Sequence, residues 1–220
     1  MQITYYQDKY FYYFWKPAGI PSTFGKQKCF IDYLLESADK NISAIMSWQQ
    51  EMFSKEDEYG LVNRLDNDTS WLLYFAKTPL FKAKYKQDQS EWNIKKHYIA
   101  DVYGNYSPEH QKISYPIWHH KFSSDRMVVI LDEVRTGKIS DKIVNKIKWK
   151  LHFVDTYVEK LYYDEKSNIT TLLVTISKWI RHQIRSHLSS VWYPIVWENI
   201  YIKHRQEGIL HLFSVWFTQE

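Results

Sequence analysis

Residues 60–77 read GLVNRLDNDTSWLLYFAK. A short apolar entry leads to Arg64-Leu65-Asp66. A polar corner follows, Asn67-Asp68-Thr69-Ser70, and then an apolar run, Leu72-Leu73-Tyr74-Phe75-Ala76, that ends on Lys77. Two apolar segments of strand length joined by a polar corner predict strand, turn, strand. Chemistry is commonly placed on loops carried by a rigid scaffold. Asp66 directly follows Leu65 at the end of the first segment, so the sheet is expected to hold it. The plain alternative is an Asp that caps backbone or pairs with a nearby Arg in a turn.

Outward from this stretch, residues 10–15 (YFYYFW) are aromatic and β-prone, and Lys16-Pro17-Ala18-Gly19-Ile20-Pro21 turns the chain away. Residues 30–38 have helical spacing, and residues 41–58 predict a short helix and a loop. Pro79 opens a basic helix over 80–89 carrying Lys82, Lys84 and Lys86. Such a helix is either a solvated face or a contact to RNA phosphates. Residues 95–104 (KKHYIADVYG) alternate as a strand, 127–131 predict a short one, and 147–154 and 156–163 predict a pair. Residues 169–176 (ITTLLVTI) predict a central strand rich in β-branched residues. In SKWIRHQIRSHLSSVWYPIVWENIY (177–201), Arg181, Arg185 and Leu188 lie three to four apart, on one face of a helix that ends before Pro194. No repeat, low-complexity tract or linker interrupts the chain.

Four of these strings, in this order, resemble the motifs of the RluA-type pseudouridine synthases. The central pattern of that family is Arg-Leu-Asp, two variable residues, Thr-Ser-Gly, a Leu-rich strand and Ala-Lys. Arg64, Leu65, Asp66, Thr69, Ser70, Leu72, Leu73, Ala76 and Lys77 match it. The family's Lys-x-Tyr-x-Ala-x-Val-x-Gly string matches from Lys96 to Gly104. Its Gly-Arg-x-His-Gln-(Ile or Leu)-Arg-x-His-Leu string matches through His182, Gln183, Ile184, Arg185, His187 and Leu188. Its closing Leu-His strand resembles Leu210-His211 with Phe213 and Phe217. Ile180 departs from the family's first Arg in the third string, and Arg181, one place on, is expected to supply that charge.

The resemblance implies an α+β fold: a single catalytic domain over residues 1–220, built on a mixed, mainly antiparallel β-sheet flanked by helices and loops, with a central active-site cleft and no separate N-terminal RNA-binding module. It implies an isomerase that converts specific uridines in rRNA or tRNA to pseudouridine, as a monomer and with neither metal nor cofactor. Asp66 is the implied catalytic residue, as nucleophile or as base. Tyr98 would lie against the target base, and Arg185 would pair with Asp66 and keep it ionised. Arg64 would fill the space a flipped uridine leaves. Lys96, Arg181, His182 and Gln183 would hold RNA, and Leu210 would pack under the base. Two other classes stay open. One is an RNA-binding protein without catalysis on the same scaffold. The other is a carboxylate-dependent glycosidase, which needs a second acid beside Asp66, with Asp68 the near candidate.

Composition agrees with these readings. The 220 residues carry a formal net charge of +4, and the pI is near 8.8. That is compatible with a polyanionic partner without demanding one. Cys29 is the sole cysteine, so no internal disulfide forms and a reducing, cytoplasmic setting is expected. No apolar run reaches the roughly 20 residues a bilayer-spanning helix needs.

One feature departs from ordinary usage. The chain has 10 Trp and only 6 Gly, against a usual Gly share of about 7%. Trp71, Trp118, Trp179, Trp192 and Trp197 stand where the family pattern has, or commonly has, Gly. Either a UGA codon read as glycine has been written as tryptophan, or these indoles form a surface on which RNA bases stack.

Overall fold

A computed structural model of the chain describes residues 3–123, 126–131, 152–202 and 208–219. They fall into two compact units, one of residues 1–94 with 213–220, the other of residues 95–212.

The first unit is a four-stranded sheet in the order β1 (Tyr5–Gln7), β2 (Phe11–Lys16), β3 (Ser70–Ala76), β10 (Leu212–Gln219). β1–β2 and β2–β3 are antiparallel, whereas β10 runs parallel to β3, so the sheet is mixed. Asp8 fixes the β1–β2 corner, its Oδ1 accepting from the Tyr10 and Phe11 amides at 2.7 Å each. Three helices accompany the sheet: α1 (Phe30–Leu35), α2 (Lys40–Met52) and α3 (Pro79–Ser90). Asp39 caps α2 by accepting from the Asn41 and Ile42 amides, and Thr78 caps α3, whose first residue is Pro79. These are the residue types that satisfy or dispense with the orphan N–H groups of a first turn. The helix expected over 30–38 stops at Leu35.

The polar face expected of α3 is broken at Lys82, which is buried. Its ammonium donates to the Asp57 carbonyl and, at 3.2 Å, to the Asp57 carboxylate. Lys82 is therefore a structural cation, and of the three lysines Lys84 and Lys86 stay exposed. A cluster of Phe11, Phe53, Tyr74, Ala76, Tyr85 and Ile94 forms the core between α3 and the sheet.

In the second unit, β4 (Ile94–Tyr103), β9 (Ile169–Ile176), β8 (Thr156–Asp164) and β5 (His110–Ile113) pair antiparallel in that order. β9 has a neighbour on each side, as its β-branched alternation leads one to expect. β6 (Ile117–His119) and β7 (Met127–Val129) form a separate ribbon. Ile117 and Met127 of the ribbon pack with Val154. The strand expected over 147–154 falls largely outside the described residues.

The last helix, α4, runs only over Gln183–Ser190. His182 adopts a left-handed conformation (φ 52°) and stops the helix from extending back to the strand. Arg181 therefore lies outside it and does not share a helix face with Arg185 and Leu188, contrary to the sequence spacing. The strand-rich, mixed pairing with few helices matches the expected α+β class. No described helix is long and apolar enough to cross a membrane.

Candidate active site

The corner that carries Asp66 differs from the strand–turn–strand expected of it. Only Leu61 pairs as an isolated bridge, with Phe75, and residues 62–65 lie outside the sheet. Side chains replace the ladder. The Val62 amide donates to the Tyr74 carbonyl at 2.9 Å. The Asn63 carboxamide then mimics a peptide, accepting from the Tyr74 amide at 2.7 Å and donating to the Leu72 carbonyl at 3.2 Å. The Ser22 hydroxyl does the same for Leu65, accepting from its amide (3.0 Å) and donating to its carbonyl (2.8 Å). The Thr69 amide donates to the Asp66 carbonyl at 3.0 Å and closes the turn.

Lys16 is the anchor that sequence reasoning missed. It is fully buried at the end of β2. Its ammonium donates to the carbonyls of Pro17 (2.9 Å), Ile20 (2.8 Å) and Asn67 (3.1 Å). The Gly19 amide adds a bond to the same Asn67 carbonyl at 2.8 Å. Burial pushes the Lys16 ammonium down to about 8, while Asp68 and Asp66 pull the other way. The corner thus presents a half-buried Asp66 beside a buried cation, on backbone tied at both ends. Arg64, one turn away, is exposed and forks onto the Glu58 carboxylate.

The second unit gathers the other expected residues. Along β4 the buried side alternates through Ile94, Lys96, Tyr98, Ala100 and Val102. Lys96 thus stands on an otherwise apolar face. Its ammonium lies 3.7 Å from the Trp179 ring centroid, and burial brings it down to about 7. Two segments are stitched to the far end of β4. The Tyr103 amide donates to the Pro194 carbonyl (3.1 Å), the Val196 amide to the Asp101 carbonyl (2.8 Å), and the Asp101 amide to the His211 carbonyl (3.1 Å). These bonds position Leu210, which is buried.

Arg185 is 1% exposed and its partner Glu198 not at all. Arg185 Nε and Nη2 donate to the two Glu198 oxygens at 2.9 and 2.7 Å, and Nη2 also to Asn199 Oδ1 at 3.1 Å. Burial works to raise the Glu198 carboxyl. The guanidinium and the Ile200 and Tyr201 amides outweigh it and hold the group below its ordinary range. A bidentate fork of this kind fixes a guanidinium in plane and direction.

Beside it runs a neutral relay. Gln183 Nε2 donates to Thr156 Oγ1 at 3.1 Å. The Thr156 hydroxyl meets His187 Nδ1 at 2.8 Å, and His187 Nε2 meets the Tyr115 carbonyl at 2.8 Å. A carbonyl only accepts, so the His187 proton sits on Nε2 and the Thr156 hydroxyl donates to Nδ1. Burial pushes His187 down to about 4, against the Tyr115 carbonyl and Asp155, and the ring stays neutral. His182 Nδ1 lies 3.0 Å from the Tyr201 hydroxyl, which in turn accepts from the Met127 amide. No group of three or more His, Cys, Asp or Glu suited to a metal occurs among the described residues.

A family model described as RNA pseudouridylate synthase matches residues 10–190 of this chain. The chain belongs to that family. It is 32% identical over 145 residues to the ribosomal large subunit pseudouridine synthase C of Buchnera aphidicola from Acyrthosiphon pisum, covering 66% of this chain and 40% of that one. It is 27% identical over 211 residues to the enzyme of the same name from Buchnera aphidicola of Baizongia pistaciae, covering 96% and 57%. This chain therefore spans about half the length of those relatives. Among solved structures it resembles the human RNA pseudouridylate synthase domain containing 1, with a TM-score of 0.67 at 16% identity over 98% of this chain and 78% of that one. That likeness shows the fold alone.

The matched range includes most residues of both constellations. Asp66 and Arg64 belong to the first unit, and Lys96, Tyr98, Arg181, His182, Gln183, Arg185 and Leu210 to the second. The residues that hold them, Lys16, Ser22, Asn63, Glu198 and Thr156, were not among the expected site residues. One signal for Lys16 was available: a lysine ending an otherwise aromatic strand.

Proposed function

We propose that this chain is an RNA pseudouridine synthase acting on ribosomal RNA. The rRNA preference draws support from the names of the similar Buchnera proteins, both ribosomal large subunit pseudouridine synthases. The reaction breaks the N1–C1′ bond of a uridine, turns the base, forms a C5–C1′ bond and removes the C5 proton. Asp66 acts on the ribose or on the base. The observation that carries this reading is the anchoring of Asp66 itself, a half-buried carboxylate on a turn that Lys16, Gly19 and Ser22 hold from below. A group held so firmly is poised for positioned chemistry rather than for a flexible surface contact.

Arg185 orients Asp66 in this proposal. Glu198 takes the Nε and Nη2 edge of the guanidinium and fixes its plane. Tyr98 lies against the base and assists removal of the C5 proton, Leu210 packs under the base, and Lys96, Arg181, His182 and Gln183 contact the RNA. Arg64 fills the gap left by the flipped nucleotide, leaving Glu58 to do so. The protein works as a monomer in the cytoplasm, a setting in keeping with its one free, buried thiol at Cys29.

The test is tritium release from rRNA fragments carrying C5-tritiated uridine, with Asp66→Asn beside the unchanged chain. Release that vanishes in the variant while RNA binding persists supports the proposal. Equal release from both proteins removes Asp66 from the chemistry. RNA binding without release from either makes the chain a binding protein.

A further inference from the structure

We propose that the protein made in its native cell carries glycine, not tryptophan, at positions 71, 92, 192 and 197. Eight non-glycine residues among those described have positive φ, and four of them are tryptophan: Trp71 (117°), Trp92 (63°), Trp192 (73°) and Trp197 (63°). Tryptophan is only 10 of 220 residues. A bulky side chain at positive φ is a genuine outlier, whereas glycine goes there freely.

Two of the four sit at one defined place. α3 ends at Ser90 with Glu91 as its cap, so Trp92 is the next residue out. The Trp92 amide donates to the Gln89 carbonyl (3.2 Å) and the Asn93 amide to the Asp88 carbonyl (2.9 Å). α4 ends at Ser190 with Val191 as its cap. There the Trp192 amide donates to the Ser189 carbonyl (3.2 Å) and the Tyr193 amide to the Leu188 carbonyl (3.0 Å). Both are the paired bonds of a Schellman motif, in which the left-handed residue is usually glycine. Neither indole has a burial reason to be there, Trp92 being 49% exposed and Trp192 87%.

Trp197 is the third residue of a turn closed by the Glu198 amide on the Ile195 carbonyl at 3.0 Å. Positive φ at that place is the mark of a turn that selects glycine. Trp71 lies in β3, opposite Lys16. Its ring centroid is 3.9 Å from that of Trp15 at an interplanar angle of 52°, closer than the roughly 4.5–7 Å at which aromatic pairs settle. Backbone demand and crowding coincide there.

A base-stacking role would explain exposed indoles but not left-handed backbone beneath them. One cause covers all four positions: a UGA codon decoded by a glycine-charged tRNA and written as tryptophan. Trp118 and Trp179 have no positive φ and stand outside the proposal.

Mass spectrometry of peptides from the protein purified from its native host decides the matter. Glycine masses are expected at all four positions, and a tryptophan mass at any of them overturns the proposal there. In the gene, UGA is expected at each position, and UGG overturns it. In the recombinant chain with literal tryptophans, Trp92→Gly and Trp192→Gly should each raise Tm by about 2–4 °C. Both side chains are exposed, so neither change opens a core. An unchanged or lower Tm removes the backbone argument.

Discussion

The Asp66 corner and the surroundings of α4 solve the same problem, holding one charged side chain still, in opposite ways. At the corner the work is done by side chains bonded to backbone carbonyls and amides. Lys16, Asn63 and Ser22 each substitute for a missing strand partner, and Asp66 is left half open to solvent. Around α4 the work is done by buried side chains, Arg185 against Glu198 and His187 against Thr156 and Tyr115. Backbone anchoring restrains the turn that carries the carboxylate. A buried ion pair restrains its members by making each indispensable to the other, since a lone buried charge is far costlier than the pair.

Breaking each region should therefore give different losses. Asp66→Asn leaves every anchor of the corner in place. It is expected to lower pseudouridine formation by about 10²–10⁴-fold or more, with unfolding in urea unchanged. Arg185→Met strands Glu198 and should cost about 3–5 kcal/mol of stability by urea unfolding. The double variant Arg185→Met/Glu198→Leu should recover most of that loss. If the single variant costs nothing, the pair is not the support described here.

A pH titration sharpens the contrast. His187 has a folded-state value near 4, below the 6.5 of an unperturbed ring. The unfolded chain binds the proton first, so the stability tied to this group is full above pH 6.5 and is lost as pH falls toward 4. The loss amounts to about 3 kcal/mol. His187→Gln should flatten that part of the thermal-stability profile. The smallest effect belongs to the corner. Asn63→Ala removes two bonds to β3 and should cost about 1–2 kcal/mol, read by urea unfolding, with a drop in kcat larger than any rise in KM.

Several elements were legible because their causes are local. The β-branched run of β9, the alternation of β4, and Pro79 at the head of α3 each carry their own instruction, and the structure bears all three out. Segment 62–65 has the apolar spacing of a strand but lies outside the sheet. It is tied to β3 through the Asn63 side chain and at Leu65 through the Ser22 hydroxyl, bonds that no periodicity reveals. Lys82 and Lys16 look like solvated cations in sequence. Their carbonyl partners include Asp57 and Asn67, which lie 25 and 51 residues away along the chain.

The amino-acid sequence determined the longer strands and helices and the family to which the chain belongs, because both are written in short-range order and spacing. Only the tertiary structure decided which charges are structural, where α4 begins, and which tryptophans stand on backbone suited to glycine. Burial, long-range hydrogen bonding and the sign of φ are properties of the folded chain, set by partners that local sequence does not name.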